Sequence, residues 1–182
     1  MIQPKPYTKS KKIYYTIISL TSLNHQALCL ILRKSYKEYI RERLCRSDGN
    51  SFLMNLYPLR FAKSGDENWT KAHYELTGFP NKLIYKAWCM EHRFPRFKDL
   101  VEKHKPKLLL CVGSGFSDDF RLAFLPEEVL FEAGQNISLP SGKKCQRFEI
   151  NNHQTTVFLM PFLGQGGVMS DKDLRFIGNR IV

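Results

Sequence analysis

Three short stretches of the chain combine glycine, proline and polar side chains of the kind that bind ligands. They span residues 55–58, 113–115 and 160–167, and each follows an apolar run. An isolated asparagine such as Asn55 at the end of a strand ordinarily caps a turn through its side chain. Gly113 and Gly115 form a weak phosphate-loop signal, because the remainder of a dinucleotide-binding motif is missing. A strand-to-helix turn that needs glycine is the favoured interpretation of this pair.

The cysteines do not form a motif. There are five, an odd number, and they are scattered without a CxxC pair: Cys29, Cys45, Cys89, Cys111 and Cys145. This spacing predicts neither a zinc site nor a disulfide framework, and it favours a reducing, intracellular environment. Cys111 stands in an apolar run and is predicted to be an ordinary buried thiol.

The charge is strongly positive. The 182 residues carry 28 Lys and Arg against 17 Asp and Glu, a formal net charge of +11, and such an excess favours nucleic acid as a partner. Ten of the basic residues fall in residues 1–46, beside only Glu38 and Glu42. The alternative for this segment is a solvated helix face beside a basic terminus. Polar residues interrupt the apolar stretch 13–32, so neither a signal peptide nor a membrane span is predicted.

The remaining pattern predicts alternating helices and strands in one domain over residues 1–182. Residues 1–23 are expected to be a basic segment that can be loosely ordered. Helices are predicted at 24–45, 81–92, 97–103, 118–124 and from Ser170 onward, and strands at 51–56, 107–112, 145–150 and 155–159. At the last helix, Asp173 follows Ser170 by three residues, which is a weaker form of the capping-box pattern. A long loop is predicted at 57–77. We therefore expect an α/β fold, a three-layer α/β/α domain with a largely parallel central sheet, whose ligands lie beyond the carboxyl ends of the strands.

Residues 52–59, Phe-Leu-Met-Asn-Leu-Tyr-Pro-Leu, resemble a motif of the single-strand-selective monofunctional uracil-DNA glycosylases. In that family a strand of the form F-V-H-N-x-C-P-L precedes a loop containing S-G-x-N. Here Ser64, Gly65 and Asn68 follow in the same relative order. Residues 105–115 are similar to the family's next strand, so the resemblance covers about residues 52–124, with weaker support toward the C-terminus.

The resemblance implies that Asn55 reads the polar edge of an extruded uracil-like base, because its amide both donates and accepts hydrogen bonds. It also implies an aromatic side chain that stacks on the base, for which Tyr57 and Phe61 are the candidates, although Tyr57 stands where the family has Cys. The DNA-contacting residues that it implies are Pro58, Ser64, Gly65, Gly113, Ser114, Pro161, Phe162, Gly164, Gly166 and Gly167. In the loop after Pro161, apolar side chains could enter a base step, and an ordinary glycine-rich connection is the equal alternative.

Two catalytic motifs of that family have no counterpart here. A water-positioning loop of the type G-M-N-P-G is not found in residues 1–50, so the N-terminal strand and loop are expected to be missing. The family's H-P-S-P motif aligns with Met160-Pro161-Phe162-Leu163, and methionine cannot donate a hydrogen bond to the departing base. Losing one such donor costs about 2.7–4 kcal/mol in a typical enzyme. His153, seven residues upstream in a predicted turn, is the candidate substitute.

The sequence thus predicts a DNA-binding protein of base excision repair, monomeric, intracellular and without metal or cofactor. Hydrolysis of the N-glycosidic bond would be impaired, and no catalytic residue can be assigned. The alternatives are a non-catalytic nucleic-acid binder, an incomplete gene product, and a generic basic α/β protein. If the chain is bacterial, we expect it in the cytoplasm near the nucleoid.

Overall fold

The computed structural model describes residues 16–20, 51–59, 69–161 and 170–181. The helix predicted over 24–45 and nearly all of the basic N-terminal segment fall outside these residues. So do the candidate site residues Phe61, Ser64, Gly65, Phe162, Gly164, Gly166 and Gly167.

The described residues form strands and helices that largely follow the predicted pattern. The strands are β1 (Thr16–Leu20), β2 (Ser51–Asn55), β3 (Leu108–Val112), β4 (Gln135–Ser138), β5 (Lys144–Ile150) and β6 (Thr155–Met160). The helices are α1 (Lys71–Thr77), α2 (Lys82–His92), α3 (Phe94–His104), α4 (Ser117–Phe124), α5 (Glu127–Leu130) and α6 (Asp171–Ile181). A 3₁₀ turn, Ser114–Phe116, joins β3 to α4. The fold is therefore α/β.

The sheet has the order β2-β1-β3-β6-β5-β4 and is mostly antiparallel, so the prediction of a largely parallel sheet was wrong. Of the five neighbouring pairs that the described strands form, β3 with β6 is parallel and the other four are antiparallel. For β5 and β6 the physical reason is the length of the connection. Four residues join β5 to β6, which suffices for a hairpin, whereas a parallel crossover needs roughly ten or more.

β1 also differs from expectation. We expected the N-terminal strand to be missing and residues 1–23 to be loosely ordered, but Thr16–Leu20 forms a strand between β2 and β3. It is antiparallel to both neighbours, and Thr16 lies opposite Asn55 on one side and Val112 on the other. Consequently β2, β3 and β6 all run in the same direction.

The sheet buries both of its faces. On one face, Leu109, Cys111 and Leu159 pack against α2, α3 and α4 in the larger core cluster. On the other face, Met160 and its neighbours pack against Ile177 of α6. Side chains alternate between faces along a strand, so the all-apolar sequence of β3 fits a central strand with two cores.

Local signals account for most helix ends. The side chain of Asn81 accepts a hydrogen bond of 2.9 Å from the Ile84 amide and starts α2. Pro95 lies in the first turn of α3, where proline needs no backbone donor. At α6, Ser170 Oγ accepts from the Asp173 amide and Asp173 Oδ2 accepts from the Ser170 amide, which confirms the predicted capping box.

Three further elements were not expected. The end of the predicted loop 57–77 is helix α1, which ends at Gly78 in the left-handed conformation (φ 74°). The segment between α4 and β5 contains α5 and β4, and β4 adds an edge strand to the sheet.

Candidate nucleic-acid interface

The three stretches singled out from sequence begin at one edge of the sheet, as predicted. In register, Asn55 lies opposite Thr16, Thr16 opposite Val112, and Val112 opposite Met160. These four residues therefore form a row across the sheet, and the row joins the carboxyl ends of β2, β3 and β6. With strands about 4.8 Å apart, Asn55 and Met160 are separated by three spacings, roughly 14 Å.

Asn55 presents its side chain to solvent. Met54 packs against the larger core cluster, so by alternation Asn55 projects to the opposite face, beside the half-exposed Leu53. Among the described residues, no side chain or backbone group hydrogen-bonds its amide. The guanidinium of Arg93 donates to the Asn55 carbonyl at 3.5 Å, which ties the end of β2 to the start of α3. The amide is therefore a free donor and acceptor on a supported strand end.

Tyr57 lies on the other side of the sheet and inside the core. Its ring is 2% exposed and contacts the rings of Tyr85, Phe94 and Phe116 at centroid distances of 5.9–6.4 Å. Because a stacking side chain must offer a free face, this position gives Tyr57 a packing role in place of the base contact expected from sequence.

The Tyr57 hydroxyl belongs to a charged cluster that sequence reasoning missed. It donates to Asp119 Oδ2 at 2.9 Å, and Lys86 Nζ lies 3.1 Å from the same oxygen. Lys86 also lies 5.2 Å from the Tyr57 ring centroid. Burial raises the pKa of Tyr57, and the negative charge of Asp119 raises it further, so the hydroxyl remains a donor. Asp119 stands in the first turn of α4 in sequence, but nothing in the pattern pairs it with residues 57 or 86.

The residue that aligns with the family histidine is buried. Met160 is 2% exposed and contributes to the smaller core cluster, and Pro161 after it is buried as well. His153 does not replace the histidine, because it precedes β6 and therefore lies at the opposite edge of the sheet from Met160. It is exposed, has a φ of 63°, and pairs with Glu149 in the hairpin turn.

Gly113 and Ser114 directly follow β3, in the middle of the row of strand ends. Gly113 has a φ of 128°, which favours glycine, and its amide donates to the Met160 carbonyl at 2.8 Å. The turn therefore binds the ends of β3 and β6 together, as the turn interpretation predicted. Ser114 and, beyond β2, Pro58 are exposed at this edge.

A polar cleft lies beside Ser114, on the face opposite Asn55. Its volume is about 320 Å³, and it is lined by Ser114, Ser117, Asp118, Arg121, Asn136, Lys144, Cys145, Gln146 and Leu159. Sequence reasoning missed this cleft, because β4 and its pairing with β5 were not predicted.

Three of the cysteines lie in the described part of the chain. Cys89, Cys111 and Cys145 are buried and form no disulfide with one another, and burial raises the pKa of Cys111, as expected for an ordinary buried cysteine. Within residues 16–20, 51–59, 69–161 and 170–181, no cluster of three or more His, Cys, Asp or Glu could hold a metal ion. In the same ranges no helix is long and apolar enough to cross a membrane.

Comparison with known proteins gives no family for this chain. No protein-family model, no curated protein and no solved structure matches it significantly.

Proposed function

We propose that the protein binds DNA and recognises an extruded or single-stranded base at the carboxyl edge of β2, with Asn55 reading the base. The observation that carries this proposal is the free, exposed amide of Asn55 on a strand end held by Arg93. An exposed asparagine that capped its own turn would have its amide oxygen occupied by a nearby backbone N–H. This amide has no such partner among the described residues.

The charge of the chain supports a polyanionic partner. A net charge of +11 attracts phosphates without regard to sequence and supplies most of the affinity in non-specific DNA binding. Asn55 would add selectivity to that affinity, because amide side chains pair with base edges in two-point contacts.

The arrangement favours binding over efficient hydrolysis. Met160 fills the core at the position aligned with the family histidine, and His153 lies at the far edge of the sheet. With no donor at the departing base, hydrolysis would be slow. The proposal is therefore a non-catalytic or weakly active relative of the single-strand-selective uracil-DNA glycosylases, monomeric and intracellular. Because the sheet is mostly antiparallel, the proposed relation to that family rests on the sequence motifs in residues 52–68 and 105–115.

A time course of base release from a single-stranded oligonucleotide with one uracil tests this proposal, together with binding of the same oligonucleotide at two salt concentrations. We expect binding that weakens steeply with salt and little or no base release. Rapid base release by the wild type that is lost in Asn55→Ala would overturn the claim that the protein is non-catalytic or weakly active, and would identify an enzyme. The absence of salt-sensitive binding would overturn the proposal as a whole.

A further inference from the structure

The polar cleft beside α4 contains two opposite charges for which the described residues provide no ion-pair partner. Lys144, at the start of β5, and Asp118, in the first turn of α4, both line the cleft and are exposed. Neither has an ion-pair partner among the described residues, and they do not pair with each other. Both charged side chains therefore line the cleft, where a ligand can reach them.

The other ionic groups near the cleft are already engaged. Arg121 donates to the carbonyls of Leu130 and Glu132, so its charge holds the loop after α5. Asp119 is bound by Lys86 and Tyr57 on the far side of α4. Among the charged residues that line the cleft, Lys144 and Asp118 are therefore the two that no ion pair or hydrogen bond among the described residues holds in place.

The floor of the cleft is polar with one apolar side chain. Asn136 and Gln146 are directly opposite each other on β4 and β5, and Gln146 is in turn opposite Leu159 on β6. By alternation these three side chains project to the same face. The two amides offer donors and acceptors to a neutral polar group, and Leu159 offers a surface for a short aliphatic stem.

We propose that this cleft binds a small zwitterion, a polar amino acid or the equivalent dipeptide, with its carboxylate on Lys144 and its ammonium group on Asp118. The volume of about 320 Å³ is at the lower end of the range of ligand pockets and suits a ligand of this size. A mononucleotide fits less well, because the lining residues include no aromatic side chain for a base to stack on. The inference does not rest on the proposed DNA-binding function, since Asn55 projects to the other face of the sheet.

The test is a titration of the ¹⁵N-labelled full chain, followed by NMR, with L-glutamine, L-glutamine amide, N-acetyl-L-glutamine and the dipeptide glycyl-L-glutamine. We expect L-glutamine or the dipeptide to shift the side-chain amide signals of Asn136 and Gln146. A preference for the free amino acid or for the dipeptide identifies which zwitterion the cleft takes. No shift at these signals with either one overturns the proposal.

Two variants assign the ends of the ligand. Lys144→Ala should weaken L-glutamine binding about fivefold, the factor for one exposed ion pair, and should leave binding of L-glutamine amide unchanged. Asp118→Asn should weaken binding of L-glutamine but not binding of N-acetyl-L-glutamine. Lys107→Ala is the matched control, because Lys107 is an exposed lysine at the opposite end of the sheet. Equal losses for the free and the blocked ligands, or an equal loss in the control, would contradict the assignment.

Discussion

Replacing Tyr57 with Phe tests whether this residue packs the core or contacts a base. The change removes the hydroxyl that donates to Asp119 at 2.9 Å and leaves the ring in place. A hydrogen bond to a charged group contributes about 1.5–3 kcal/mol. Asp119 keeps Lys86 at 3.1 Å and is 13% exposed, so we expect the lower half of that range, about 1.5–2 kcal/mol.

Urea denaturation followed by circular dichroism measures the change in free energy of unfolding. For a chain of this length, about 1.5–2 kcal/mol corresponds to a fall in Tm of roughly 3–8 °C. Tyr74→Phe is the matched control, because Tyr74 is 53% exposed on α1 and should change stability by less than about 0.5 kcal/mol. A loss in Tyr57→Phe no larger than in the control would refute the anchoring role and return Tyr57 to the list of base-stacking candidates.

Two further changes test the ends of β6 and α6. Met160→His should lower the free energy of unfolding by about 1–3 kcal/mol in urea denaturation, because it buries an imidazole among apolar side chains. Release of uracil by this variant would instead show that residue 160 reaches a bound base. At Asp173, burial raises the carboxyl pKa, but hydrogen bonds from Ser170 and Ser141 outweigh it and lower the pKa to about 2. The charged form is therefore favoured in the folded state, so this contribution to stability is complete above the ordinary pKa of 3.8 and is lost as the pH falls toward 2. Asp173→Asn should be less stable than the wild type at pH 6 and should lose less stability between pH 4 and pH 2, and parallel pH profiles for the two proteins would contradict this.

Elements with strong local signals were predicted well. The capping box at Ser170 and Asp173 is formed by residues three apart, and the buried strand β3 shows itself as an unbroken apolar run. Helix α2 begins where an asparagine precedes an apolar repeat. In each of these cases the interaction that fixes the element lies within one or two turns of chain.

Features that depend on distant pairing were not predicted. Strand direction is decided by which strands meet, and the central position of β1 follows from its register with Asn55 and Val112. The contact between Tyr57 and Asp119 spans 62 residues, and Asn136 meets Gln146 only because β4 joins the sheet edge. Residue types alone cannot show these contacts. The sequence therefore placed the candidate site at the carboxyl ends of the strands, whereas the charged cluster around Tyr57 and the polar cleft were found in the structure.

The most direct test of the proposed function is the selectivity of binding at Asn55. Affinities should be measured for two single-stranded oligonucleotides that differ in one base, uracil or cytosine, in the wild type, in Asn55→Ala and in the control Leu53→Ala on the same face of β2. A two-point base contact accounts for about 1–3 kcal/mol of discrimination, roughly 5- to 150-fold. The account predicts that Asn55→Ala abolishes this preference, while urea denaturation shows its stability within about 0.5 kcal/mol of the wild type, because the amide has no hydrogen-bond partner among the described residues. An unchanged preference in Asn55→Ala, or the absence of any preference in the wild type, would contradict it.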